Sequence, residues 1–219
     1  MLKISKTCST LLVIMLLTLS GGSSSAFSMS EGGDCTPDCP GDLFGGWQSI
    51  QITVGTCVVN VWYSTRFACS TYYDVQIHKV DFVGGSCGAG PDYSVLMAQV
   101  TEQLLILNPM NFPPFGPGCE DNWRVTQGAC WRKEYIPNVP GVNRSTDGGK
   151  VSEDVQGGYH LGPCDESVCC LDLYQVCRVP DGNGGWIRQV THLTTVPPPG
   201  DCPYDPAGLC FPVCGNETR

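Results

Sequence analysis

The chain has 219 residues, a formal net charge of −9 and only 15% charged residues, while Gly (27) and Pro (17) make up a fifth of it. So acidic a surface repels phosphate backbones and anionic headgroups, which excludes nucleic acid and direct anionic-membrane binding as partner classes. So much Gly and Pro forbids long helices and points to short elements held by crosslinks.

The N-terminus has the three parts of a secretory signal. Lys3 and Lys6 supply positive charge, Leu11–Leu19 is an apolar run too short to span a bilayer, and a small-residue stretch follows. Cleavage after Ala26 or after Ser28 satisfies the small-residue requirement, so residues 1–28 are expected to be removed. That takes away Lys3, Lys6 and no acid, moving the net charge from −9 to −11. The expected location is extracellular, or periplasmic in a bacterium.

Cysteine parity supports this reading. Of 15 cysteines, Cys8 lies in the signal. The remaining fourteen are Cys35, Cys39, Cys57, Cys69, Cys87, Cys119, Cys130, Cys164, Cys169, Cys170, Cys177, Cys202, Cys210 and Cys214. An even number with no Cys-x-x-Cys pair and no finger-spaced His reads as seven disulfides rather than metal ligands. No free thiol is expected.

Residues 29–46 form an arm broken by Gly and Pro, to be pinned by Cys35 and Cys39. Residues 47–219 are expected to form a single β-dominated domain. In Trp47–Val54, Ile50, Ile52 and Val54 alternate with Ser49, Gln51 and Thr53. After Gly55, Cys57, Val59, Val61 and Tyr63 alternate with polar or mixed positions, so the two stretches read as a hairpin. A third strand, Tyr72–Val83, changes apolar phase from Val75/Ile77 to Val80/Phe82, and a bulge near His78-Lys79 would absorb the slip. Asp92–Leu107 is the one helix, capped by Asp92 or Ser94, with Leu96, Val100, Leu104 and Leu107 on its buried face and Asn108-Pro109 as its stop. Only Glu102 in it is charged, so it should lie against a sheet.

Pro109–Gly118 reads as a rigid surface loop. Trp123–Arg132 reads as one strand-like segment with aromatic anchors, and 136–163 as the least ordered stretch. Cys169–Arg178 and Trp186–Val196 read as a second hairpin around Asn183-Gly184. In Cys169–Arg178, alternation places Cys169 toward the core and Cys170 on the opposite side. The two should then reach different partners, with Cys164, Cys202 or a cysteine of the first β region as candidates. The fold class is therefore α+β and β-rich: two β regions, one buried helix and a disulfide framework.

Chemistry is sparse. His78, His160 and His192 form no His-Glu-x-x-His site, and no nucleophile elbow or phosphate loop occurs. The two strand histidines, His78 and His192, read as half-buried structural residues, although a hydrolase site could still be assembled in space. Asp181-Gly182-Asn183 starts like a calcium loop but lacks Gly at position six and Glu at twelve, so it reads as a turn. Asp34, Asp38 and Asp42 cannot align on a helix across Pro37 and Pro40. No cofactor or metal is expected. Asn143 and Asn216 head glycosylation sequons. Trp47, Trp62, Trp123, Trp131 and Trp186 are expected chiefly to be structural, with Trp62 a candidate exposed aromatic.

Three functions follow, in order. The first is an extracellular structural or interaction protein (a matrix, surface-assembly or adhesive component) without a catalytic site. The others are a secreted hydrolase and a glycan- or protein-binding module that uses exposed aromatics. The partners expected are protein or glycan, self-association included.

Overall fold

A computed structural model describes residues 39, 41–85, 87, 92–112, 117–136, 158–164, 169–196, 202 and 210–214. The expected signal segment, Cys35 and both sequon asparagines lie outside them. The described elements are β1 (Gln48–Val54), β2 (Cys57–Ala68), β3 (Tyr72–Gly85), α1 (Tyr93–Leu107), β4 (Gly118–Gly128), β5 (Cys130–Ile136), β6 (Gly158–Pro163), β7 (Cys169–Pro180), β8 (Trp186–Val196) and β9 (Phe211–Pro212). The chain is β-rich, has one described helix and is stapled by disulfides.

The β1–β2 hairpin forms through Gly55, whose φ of 58° is the left-handed conformation a tight turn demands. Beside it, β3 carries the expected bulge: Trp62 faces Lys79 but Tyr63 faces Ile77, so His78 is the extra residue. The slip lets Val75, Ile77, Val80 and Phe82 all join the core.

At this bulge the sheet forks. Residues 73–77 of β3 pair in parallel with β4, while Val80 and Asp81 pair with β6. One branch continues β4–β7–β8 and the other β6–β5–β9, so the two expected β regions are parts of one nine-stranded sheet. Trp123–Arg132 is correspondingly two strands rather than one. The chain breaks at Ala129, where Gly128 lies so close to Pro163 that a Cβ would come within 2.6 Å of the proline Cβ. Within 136–163, the stretch expected to be least ordered, residues 158–163 are the strand β6, seated between β3 and β5.

The helix touches β1, β8 and β9, the three strands at the ends of the branching sheet. The sheet therefore wraps around it. Asp92 caps α1 by accepting from the Ser94 and Val95 amides, and Asn108 ends it with φ 47°. Its buried residues are Leu96, Met97, Val100, Thr101, Leu104 and Leu105. Leu107, expected on this face, is exposed because the 3.6-residue period carries the stripe to Leu104-Leu105 instead. Ser94 Oγ donates to the Pro212 carbonyl, and Arg188 reaches the Ile106 carbonyl at the helix C-terminus, where a cation meets the favourable end of the dipole.

The described bridges are Cys39–Cys69, Cys57–Cys87, Cys119–Cys177, Cys130–Cys202, Cys164–Cys210 and Cys170–Cys214. Cys169 is disulfide-bonded too. The vicinal cysteines are thus not bonded to each other, as the alternation of a strand requires. Two details differ from expectation. Cys170, not Cys169, lies on the side of the core residues Tyr174 and Val176, and its partner is Cys214. Cys164 and Cys202 take other partners. The apolar look of Cys169, Leu171 and Leu173 concealed this, because Leu171 is fully buried on the opposite face.

The arm is pinned by Cys39–Cys69 and by the Gly45 amide donating to the Thr65 carbonyl at 2.9 Å. It shields a buried ionic cluster on the sheet face away from the helix. There Asp74 accepts from Arg66 Nε (2.7 Å), Arg124 Nε (2.5 Å) and Arg124 Nη2 (2.7 Å). Arg66 also donates to the Asp42 carbonyl and stacks on Phe44, and Arg124 stacks on Tyr72 at 3.9 Å.

Candidate functional site

Beyond the fork, the outer face of the sheet presents a different surface. Val59, Val61, Val80 and Leu161 point inward to the core, so the residues alternating with them point outward. Pairing across four strands sets Asn60 opposite Asp81, Asp81 opposite His160, and His160 opposite Glu134. One pair further along, Trp62 faces Lys79 and Arg132 faces Gly162. Directly opposed side chains on one face are about 5 Å apart, so these residues form a continuous two-row patch.

The patch is half-open and internally wired. Asp81 accepts from Trp62 Nε1 at 2.6 Å and pairs with Lys79 at 2.9 Å, while Lys79 also lies over the Trp62 ring. Glu134 pairs with Arg132 and meets His160 Nε2 at 3.3 Å. Burial lowers the His160 pKa, with Lys79 adding to the effect and Glu134 and Asp81 opposing it, so the ring is neutral at neutral pH. Its Nδ1 is buried without a hydrogen-bond partner. Gly162 adds no side chain and leaves a notch beside that ring. The patch combines a partly exposed indole, fixed carboxylates and fixed cations on a rigid surface. Such a surface can stack a planar or pyranose face and hydrogen-bond several polar groups at once.

Each of the other two histidines meets a hydroxyl group, but neither is wired as a hydrolase relay. His78 Nε2 meets Ser64 Oγ at 2.8 Å, and Trp47 stacks on the ring at 4.4 Å. Ser64 is buried, and burial lowers the His78 pKa to about 4, which makes the ring a feeble base. On the inner face, Asp172, His192 and Thr195 form a triangle. His192 Nε2 lies 3.1 Å from Asp172 Oδ1, and Thr195 Oγ lies 2.5 Å from the same oxygen and 3.0 Å from that nitrogen. The bulge at Leu193 brings His192 and Thr195 onto one face. An activating relay places carboxylate and hydroxyl on opposite imidazole nitrogens. Here both meet Nε2 and the Thr195 proton points to Asp172, so the triangle, with Gln127 donating at 3.3 Å, satisfies a buried carboxylate.

Acidification reads out His78 directly. A ring held neutral down to about pH 4 when folded takes its proton near 6.5 when unfolded. Stability is therefore full above pH 6.5, falls between 6.5 and 4, and levels off below. Discounted for the partial exposure of the ring, about 2 kcal/mol is lost across that window. Urea denaturation at several pH values is expected to show a shallower slope in this window for His78→Gln. An unchanged slope would place the acid sensitivity elsewhere.

Of the remaining sequence candidates, Trp123 and Trp131 are fully buried. Trp131 Nε1 donates to the Gly128 carbonyl, and the exposed Trp186 carries Arg178 against its ring. Trp62 is half-buried rather than free-standing. Asp181 Oδ1 accepts from the Asn183 and Gly185 amides, the geometry of the expected turn. Cys39, Asp42 and Cys69 are the one metal-like grouping among the described residues, and the Cys39–Cys69 bond consumes both thiols. Sequence reading missed the Asp74 cluster and the outer patch. The alternations Asn60/Trp62 and Lys79/Asp81 were visible, but which strands adjoin them was not. No known protein family, curated protein or solved structure matches this chain.

Proposed function

We propose that this chain is an extracellular structural or interaction protein, a component of a matrix, surface assembly or adhesive layer, that engages a glycan or protein through its outer patch. The disulfides indicate an oxidising compartment, and secretion through the N-terminal signal fits them. The observation that carries the reading is the two-row patch from Asn60 to Glu134. Its side chains are held in place by one another on a crosslinked sheet, so little ordering is lost when a ligand binds. The decisive measurement is binding to glycan arrays and to extracellular-surface extracts. Glu134→Gln and Arg132→Ala, both surface changes, are expected to weaken any retained ligand at least about tenfold, the loss of one charge-assisted contact. Binding indifferent to both would exclude the patch.

A hydrolase is the second reading: the Asp172–His192–Thr195 triangle gathers the residue types such a site uses, but with carboxylate and hydroxyl on the same ring nitrogen it would have to rearrange to act. Turnover of an ester, peptide or glycoside substrate that disappears in Thr195→Ala would replace the interaction reading.

A further inference from the structure

Strand β8 ends one branch of the sheet. It pairs with β7 along its length, and among the described residues no strand pairs with its outer edge. Proteins usually blunt such an edge with lysine, proline or an early bulge. Residues 186–192 carry none of these: the sequence is Trp-Ile-Arg-Gln-Val-Thr-His, with Arg188 its only full charge. The bulge comes afterwards, at Leu193. The strand also exposes large apolar groups, Trp186 at 45%, Ile187 at 48% and Leu193 at 45%. β1, which among the described residues also pairs on one side only, differs. Its Ile50, Ile52 and Val54 turn to the core, and its outward residues are Ser, Gln and Thr.

We propose that β8 pairs antiparallel with β8 of a second copy of this chain, joining two sheets across a twofold axis at Gln189. The turn at Gly185 and the bulge at Leu193 bound a straight seven-residue segment whose midpoint is Gln189. Pairing that segment with itself keeps every residue on its own face, because opposed positions share parity. Trp186 then opposes His192 of the copy, Ile187 opposes Thr191, Arg188 opposes Val190, and Gln189 opposes Gln189. No like charges are directly opposed, and each ring or aliphatic group gains cover. What favours a second copy is the content of these pairs: the only charge of the segment, Arg188, is set against Val190, and the exposed Trp186 and Ile187 each gain an uncharged neighbour. Two chains of net charge −9, or −11 once residues 1–28 are removed, repel at long range, so added salt is expected to tighten the pairing.

The inference deepens the interaction reading by naming a partner, but it does not use the outer patch. A monomer that still binds its ligand through Arg132 and Glu134 would refute this pairing and leave that reading standing. The test is light scattering on the size-excluded, oxidised protein over a range of concentration and salt. The expected result is a mass that doubles with concentration, more readily at high salt, and stays single in Gln189→Lys with unchanged circular dichroism. Gln189→Cys should crosslink to itself, whereas Ile187→Cys should not. If Gln189→Lys misfolds, Thr191→Lys on the same edge provides the second reading. A wild-type monomer at all concentrations would overturn the proposal. So would a dimer that survives both lysine variants, or one abolished by Gln51→Lys on β1.

Discussion

Asp74→Ala is expected to cost about 3–5 kcal/mol, the typical loss when one member of a buried ionic group is removed and its partners remain. Asp74 is fully buried and takes three charge-assisted hydrogen bonds from two guanidiniums that are themselves almost wholly buried. Without it, two adjacent cations face each other out of water. Among the described contacts, Arg66 keeps the Asp42 carbonyl and Arg124 keeps the Tyr72 ring, and neither of these two groups carries a negative charge. Thermal unfolding should show a midpoint lowered by roughly 10 °C for a chain of this size. Replacing Arg66, Asp74 and Arg124 together by apolar residues of similar volume should restore much of the loss, since the penalty lies in the orphaned charge. A single-variant loss below about 1 kcal/mol would show that the guanidiniums are hydrated or paired elsewhere.

The second large effect is expected at the C-terminal segment. Cys130–Cys202, Cys164–Cys210 and Cys170–Cys214 tie Cys202, Cys210 and Cys214 to β5, to the end of β6 and to β7. Between these ties Phe211 and Pro212 pair with β5, and the Val213 amide donates to the Ala129 carbonyl. A two-residue strand has too few hydrogen bonds to hold itself in place. Removing Cys130 and Cys202 together, as the double alanine variant, should cost about 2–5 kcal/mol. The closed loop spans 72 residues in sequence, but the other two ties keep it short in space, so the lower half of that range is expected. Hydrogen exchange would locate the damage. Amides of β5 and β9 should lose protection before those of β2 and β3, and uniform loss across the sheet would contradict a local role for the bridge.

Local patterns in the sequence were sufficient for most of the elements, β4 to β6 excepted. Period-two alternation located β1, β2, β3, β7 and β8, and the apolar phase change placed the His78 bulge, because a one-residue slip must be absorbed wherever one face is buried. Asp92 and Asn108 delimited the helix through capping chemistry that acts over three or four residues. Cysteine composition and the absence of paired metal spacings marked the bridges, though not their partners.

What remained undecided at that level was every relation between residues far apart in the chain. The parallel β3–β4 pairing fuses two apparent β regions into one sheet, and alternation within a strand carries no record of its neighbour. β6 was hidden in a polar, Gly-rich stretch because its strand character comes from lying between β3 and β5, a tertiary effect on a weak local preference. Asp74 and Arg124 stand fifty residues apart and look like ordinary surface charges until pairing sets them side by side. The same holds for Asn60, Asp81, His160 and Glu134, which come from four separate strands. The crosslinked β character was thus written in local spacing. The candidate sites exist only where the fork at His78 brings distant strands together, because side-chain adjacency across a sheet depends on strand order and register.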